Sequence, residues 1–317
     1  MKLSEQTYAL KRKKVWVAGH MGMVGSALLR RLEREDCEVL TVARDRLDLC
    51  NQNAVFDWVS EVKPDAIFLA AATVGGIDAN RSRPADFIYN NLIIESNVIH
   101  AAWKNNTEKL MFLGSSCIYP KLAPQPMREE DLLGGPLEPT NQWYAIAKIA
   151  GIMLCQAFRK QHSCDFISAQ PTNLYGIGDN FDLQSSHVLP ALMAKAHKAK
   201  IDGHNTLKVW GTGAPKREFL FVDDLADALI HLMKFYSDEI QINIGTGEDI
   251  SIRETAELMC EVVGFKGDLE FDESMPDGSP RKLLNVDRLT KLGWTAETSL
   301  KKGLQQTYKW YLQSLIN

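Results

Sequence analysis

The sequence predicts a doubly wound α/β fold, a parallel sheet covered by helices on both faces, with a smaller C-terminal α/β lobe. Three observations carry this prediction. Apolar runs alternate with helix-patterned segments through the first half of the 317 residues, a glycine-rich turn joins the first run to the first helix, and the alternation loosens beyond Gly178.

In chain order, the first strand is Val15 to Ala18, followed by a helix from about Val24. The second strand, Glu38 to Val42, leads to a helix from about Asn53, and the third, Ala66 to Ala70, to a helix from about Asn90. Lys109 to Leu113 is the fourth strand, a helix begins near Trp143, and Phe166 to Ala169 is another buried strand. Short continuous apolar runs suit strands buried on both faces, as a parallel sheet with βαβ crossovers requires. Pro139, Thr140 and Asn141 mark the start of the helix near Trp143, because a Thr or Asn side chain can cap a first turn.

Further along, a helix is expected from Leu189 towards Ala199 and a short strand at Leu207 to Trp210. Val222 to Ala228 opens a helix whose Asp223 and Asp224 sit at the positive end of its dipole, and Ile242 to Gly245 returns as a strand. Amphipathic helices follow around Ile252 to Val263 and Leu300 to Leu315. The division expected is a dinucleotide-binding part over 1–176 plus about 217–247, and a substrate lobe over about 177–216 and 248–317.

Composition narrows the function. A net charge of −4 gives no basic footprint for nucleic acid, and the Lys11 to Lys14 run reads as a solvated approach to the first strand. No stretch approaches the length of a membrane span, and Val15 to Ala18 is too short for a secretory core, so a cytoplasmic protein is expected. The six cysteines, Cys37, Cys50, Cys117, Cys155, Cys164 and Cys260, lack metal-ligand spacing and are expected to be reduced thiols, with no metal site.

The glycine turn reads Gly19, Gly22 and Gly25, with Met23 and Val24 between the last two. Between a strand and a helix, such glycines let backbone amides approach a pyrophosphate at the helix N-terminus, the signature of a Rossmann-type site. After the second strand, where NAD enzymes place an acid for the adenosine ribose, this chain has Arg44, Asp45 and Arg46. A guanidinium there suits a 2′-phosphate, so Arg44 points to NADPH rather than NADH. Asp48 either faces the adenine or caps a turn.

Tyr144 and Lys148 are four residues apart, on one face of the predicted helix. A lysine cation beside a phenol favours the phenolate and lowers its pKa from about 10. Ser115 and Cys117 lie in the loop after the fourth strand, so a hydroxyl, a thiol, a phenol and an ammonium can converge on one substrate.

These motifs make the chain similar to the extended short-chain dehydrogenase/reductases, and within them to enzymes that epimerise and reduce GDP-4-keto-6-deoxy sugars. The resemblance spans nearly the whole sequence and rests on Gly114 to Pro120, Glu138 to Asn141, Tyr144 to Lys148, Pro171 to Gly176, Ser186 to Leu192 and Arg217 to Asp224. It implies a reductase triad of Ser115, Tyr144 and Lys148, and an epimerisation pair of Cys117 and His187. It implies NADP(H) contacts from Gly19 to Gly25, Arg44, Asp48, Leu49, Leu113, Ser116, Lys148, Pro171, Asn173 and Leu174. Lys195, Trp210, Arg217, Asp277 and His187 would hold the GDP-sugar, and the chain would form a homodimer. Met21 departs from the family pattern, which carries a basic residue there to help hold the 2′-phosphate.

The implied reaction is NADPH-dependent 3,5-epimerisation and 4-reduction of GDP-4-keto-6-deoxy-D-mannose. A 4-keto group acidifies C3 and C5, where Cys117 as base and His187 as opposing acid can invert each centre, while Ser115 and Tyr144 stabilise the oxyanion. The alternatives are a sibling acting on a GDP-colitose or GDP-heptose precursor, and a non-catalytic cofactor-binding protein. Arg217 has an alternative of its own, an ion pair with Glu218, and Trp210 either stacks on ligand or belongs to the core.

Overall fold

The computed structural model describes residues 5–183, 185–275 and 277–316. β1 (Lys14–Ala18) runs into α1 (Met23–Leu32), β2 (Glu38–Leu40) into α2 (Gln52–Val62), and β3 (Ala66–Leu69) into α3 (Ile77–Ser82) and the long α4 (Pro84–Lys104). Next come β4 (Lys109–Leu113), α5 (Gln142–His162), β5 (Asp165–Pro171) and β6 (Asn173–Tyr175). They are followed by α6 (Val188–Ile201), β7 (Thr206–Trp210), β8 (Lys216–Arg217), β9 (Phe219–Phe221), α7 (Val222–Phe235) and β10 (Ile242–Ile244). Then follow β11 (Ile250–Ser251), α8 (Ile252–Val263), β12 (Asp268–Asp272), β13 (Arg281–Lys282), α9 (Asp287–Lys291) and α10 (Leu300–Ser314).

Six strands form one parallel sheet in the order β2-β1-β3-β4-β5-β10. Alternation along each strand sorts the apolar side chains into two cores. Val15, Val17, Phe68, Met111 and Ile167 pack with α1 and α7 on one face. Trp16, Ala18, Ile67, Leu69, Leu110 and Phe112 pack with α2, α4 and α5 on the other. Burial on both faces is why these runs carry no polar alternation. Chain order reverses between β1 and β3, the topological switch point at which doubly wound sheets open a crevice beyond the strand ends.

A third core gathers Leu189, Leu192 and Met193 of α6, Val209 of β7, Phe219 and Phe221 of β9, and Met259 and Val263 of α8. Here α8 has the bounds read from the sequence, because Ser251 and Glu254 close a capping box and Gly264 ends the helix in the left-handed region at φ 75°.

Three local expectations are corrected. β2 ends at Leu40, short of Val42. The helix expected near Asn90 starts at Pro84, where proline fits the first turn and Asp86 favours the positive end of the dipole. Asn141 is the N-cap residue of α5, yet no side chain caps that helix, because Thr140 instead donates to Glu138 and the Asn141 side-chain oxygen is buried without a partner.

Candidate active site

The β1–α1 turn lies at the switch point. Gly19 has φ +89°, and a Cβ there would stand 2.6 Å from the Ala71 nitrogen, so only glycine lets this turn pack against the chain leaving β3. A Cβ on Gly25 would meet the Gly19 carbonyl oxygen at 2.1 Å. Gly22 is exposed and no side chain caps α1, which leaves first-turn amides open to the crevice. Met23 and Val24 pack their half-buried side chains against the core. Arg44 is exposed at the neighbouring strand end, and no ion pair engages it among the described residues. Asp48 caps a turn, its carboxylate accepting from the Cys50 amide at 3.0 Å, and Leu49 packs into the core below.

Beyond β4 and β5 the second wall forms. Leu113 ends β4 and its carbonyl accepts a 2.9 Å hydrogen bond from Lys148 Nζ. Ser115 donates its amide to Gln170 at 2.8 Å, and its hydroxyl accepts from the Cys117 amide at 3.4 Å, which fixes the short helical turn of Ser116, Cys117 and Ile118. Pro171 and Ile244 are paired at the end of the sheet, and Asn173 donates to the Glu218 carbonyl at 2.8 Å, with Leu174 against the core.

Tyr144 and Lys148 share a face of α5, with the ammonium 5.9 Å from the phenol ring centre and 4.7 Å from that of Phe112. The phenol nevertheless departs upward from its ordinary pKa, because burial and then the nearby Cys117 and Glu95 disfavour the phenolate, correcting the expected depression. Lys148 itself is pushed down by burial. The thiol of Cys117 is also raised by burial, against an opposing pull led by Lys282 and then Ser115 and Lys148.

Lys282, on β13, was not singled out from the sequence, and its charge reaches Cys117, His187 and Arg217 together. His187, the N-cap residue of α6, is solvent-accessible while protein surrounds its ring closely. Burial and then Lys282 hold its imidazole below the usual range. No pattern could have marked Lys282, since β13 has two residues and reaches the site only by pairing with β8.

Between α6 and β7, Lys195 holds its ammonium 4.8 Å from the centre of the Trp210 ring, which is 49% exposed and is therefore no core residue. Arg217 does not pair with Glu218. Neighbours on a strand point to opposite faces, and the buried Glu218 carboxylate accepts from the amides of Gly247 and Leu284 instead. The guanidinium of Arg217 donates to the Lys216 carbonyl at 2.7 Å within reach of the Lys282 charge, and Asp277 is held by Thr212 through its amide at 2.7 Å and its hydroxyl at 2.8 Å.

The profile described as the NAD dependent epimerase/dehydratase family matches residues 15–245. The chain belongs to that family. A GDP-L-fucose synthase of Sinorhizobium fredii is 58% identical over 98% of this chain and 99% of that protein. A GDP-L-fucose synthetase from Naegleria fowleri, solved with NADP bound, superimposes with a TM-score of 0.92 at 27% identity, covering 100% of this chain and 99% of its own. A GDP-6-OMe-4-keto-L-xylo-heptose reductase from C. jejuni has a TM-score of 0.90 at 37% identity, covering 96% of this chain and 98% of its own.

Among the described residues of this family member, no helix is long and apolar enough to cross a membrane, and no group of three His, Cys, Asp or Glu could hold a metal ion. All six cysteines are free thiols. His197 and His231 are engaged structurally, with Tyr308 at 3.0 Å and the Leu292 carbonyl at 2.9 Å.

Proposed function

We propose that the chain converts GDP-4-keto-6-deoxy-D-mannose to GDP-L-fucose, by epimerisation at C3 and C5 and reduction at C4 with NADPH, in one site. The observation that carries this reading is the thiol of Cys117 on the same short turn as Ser115, with Lys282 acting on both Cys117 and His187. A reductase alone needs no thiol and imidazole beside its hydroxyl, phenol and ammonium. The 58% identical GDP-L-fucose synthase supports it over the heptose reductase at 37%.

The residues fit NADP(H). The Gly19–Gly25 cradle would be filled by a Cβ, α1 has open first-turn amides, and Arg44 stands exposed for a 2′-phosphate. When bound, NADPH supplies the hydride that reduces the C4 carbonyl. Met23 and Val24 would bind through backbone amides beside the exposed Gly22, Lys148 would orient a ribose hydroxyl, and Leu113, Ser116, Pro171, Asn173 and Leu174 would shape the nicotinamide side.

Lys195 and Trp210 would take the guanine end of the GDP-sugar, Arg217 and Lys282 the diphosphate, and Asp277 a hydroxyl. Ser115 and Tyr144 donate to O4, so charge that develops as C3–H or C5–H is broken resides on an oxygen already hydrogen-bonded. Cys117, as thiolate, takes the proton from one face and His187 returns a proton to the other. Burial, with Lys282 adding to it, disfavours the imidazolium of His187, and the diphosphate charge would offset the Lys282 part. In the reduction, Tyr144 gives its proton to O4 as hydride reaches C4.

A cytoplasmic homodimer completes the proposal. The exposed Trp143, Ile146 and Met153, spaced along α5, and Tyr89 on α4 support association through these helices. The test is incubation with GDP-4-keto-6-deoxymannose and NADPH in deuterated water. NADPH oxidation with deuterium at C3 and C5 is expected. Label at C5 alone, or no consumption, overturns the reading in favour of a colitose-type sibling or a non-catalytic protein.

A further inference from the structure

The turn that carries Ser115 and Cys117 holds itself together weakly. It leaves the sheet once the Gly114 amide has donated to the Ala169 carbonyl at 2.9 Å. Within it, the Cys117 amide reaches the Ser115 hydroxyl at 3.4 Å and the Ile118 amide reaches the Ser115 carbonyl at 3.2 Å. Two shorter bonds come from outside. The Ser115 amide donates to the side-chain oxygen of Gln170 at 2.8 Å, and the Tyr119 hydroxyl donates to that of Asn243 at 2.6 Å. Each end of the turn is thus held by a carboxamide.

The two carboxamides are neighbours. Gln170 on β5 and Asn243 on β10 are register partners in the parallel sheet, and both are 0% exposed. The residues flanking them, Ala169, Ile242 and Ile244, enter the core shared with α1 and α7, so Gln170 and Asn243 face the other side, where α5 packs on the turn. Gly114 makes room for the first of them, since a Cβ there would stand 1.9 Å from the Gln170 side-chain oxygen. Asn243 is itself fixed, its side-chain nitrogen donating to the carbonyls of Met127 at 3.1 Å and Asn285 at 3.2 Å. The side-chain nitrogen of Gln170 is buried with no partner, a cost that a methionine of like size would avoid. What the carboxamide supplies against that cost is its bond to Ser115.

We propose that Gln170 and Asn243 are positioning residues: as a pair they pin both ends of the turn, and so set the places of the Ser115 hydroxyl and the Cys117 thiol relative to the reacting sugar. The inference rests on the reading above, in which the hydroxyl meets O4 and the thiol serves C3 and C5. Neither carboxamide acts on substrate. Gln170 works through the Ser115 amide and Asn243 through Tyr119.

Gln170→Met removes one anchor at nearly equal size, and Tyr119→Phe removes the other while leaving the ring. The first measurement needs no turnover: amide hydrogen exchange across 115–119, read by 15N NMR in the intact protein. Each variant should speed exchange in this turn about tenfold, the worth of one buried hydrogen bond, and leave β1 as in wild type. The second is steady-state kinetics in deuterated water. Labelling at C3 and C5 and NADPH oxidation should both fall about ten- to hundredfold in kcat, as a misplacement of about 1 Å would cause, with KM for the GDP-sugar and for NADPH unchanged. A general loss of structure would instead weaken NADPH binding along with the rate. Unaltered exchange at 115–119 in both folded variants overturns the proposal, as does faster exchange with kcat unchanged. Should both variants loosen the turn while the wild type neither labels nor reduces the sugar, the epimerase-reductase reading falls alone and the anchoring stands.

Discussion

The ammonium of Lys195 stands 4.8 Å over the ring of Trp210, joining α6 to β7. A cation above an indole face leaves the other face open for a base, and the desolvated ammonium, pushed below its ordinary range by burial, is poised for an anion. Trp210→Ala should raise KM for the GDP-sugar about three- to thirtyfold while NADPH affinity holds. Titration of each ligand by calorimetry separates the two, and equal losses for both would place Trp210 in general stability.

Lys282 gives a second prediction. Removing its charge with Lys282→Met takes away the strongest influence lowering the Cys117 thiol. Iodoacetamide labelling of Cys117 should then slow at pH 8, deuterium exchange should slow with it, and labelling of the other cysteines should be unaffected. Unchanged Cys117 labelling would separate Lys282 from the thiol.

Cofactor choice turns on Arg44 and Met21. Arg44→Ala should weaken NADPH about ten- to hundredfold and leave NADH unchanged, the loss of a charge-assisted pair. Met21 is 76% exposed, so Met21→Arg costs no packing and should tighten NADPH alone. Fluorescence titration of both cofactors reads the ratio, and a parallel change for both would remove the 2′-phosphate from the explanation.

Gly25→Ala should fail structurally, because its Cβ would reach the Gly19 carbonyl oxygen, a backbone atom, at 2.1 Å. The overpacking should cost about 1–3 kcal/mol and abolish NADPH binding. A thermal melt with and without NADPH tests it: wild type should show a cofactor-induced rise in Tm, and the variant none.

Asp179 supplies a pH-dependent test. Burial pushes its carboxyl up to about 7, one oxygen accepts from the Asn180 amide and the other has no partner. Because the folded state keeps a proton that the unfolded chain has already lost, this group costs nothing below about pH 4. Its penalty grows as pH rises toward the folded value and is complete above it. Asp179→Asn should therefore raise Tm at pH 8 and leave it unchanged at pH 4. An equal gain at both values would assign the effect to packing.

What the sequence discloses follows from where the information resides. β4 and α8 were legible to the residue, since a doubly buried strand needs an unbroken apolar run and a capping box with a terminal glycine announces both helix ends. The start of α4 was missed because Pro84 can begin a helix as well as interrupt one. Ser115, Cys117, Tyr144 and Lys148 stood out because their spacing is local. Lys282 did not, because its place beside Cys117 comes from strand pairing between distant segments. The upward displacement of the Tyr144 phenol was equally hidden, as four-residue spacing reports a neighbour but not how much water is excluded around it.

β9 pairs with β6 and divides its side chains: Phe219 and Phe221 enter the third core, while Leu220 enters the core beneath the parallel sheet. A three-residue strand thus belongs to two interiors at once. Anyone wishing to transplant the lobe built on the third core from a relative will find no clean seam there. A chimera cut at this strand would need matched residues on both sides of the graft, so altering substrate preference by exchanging individual cleft side chains is the more tractable route.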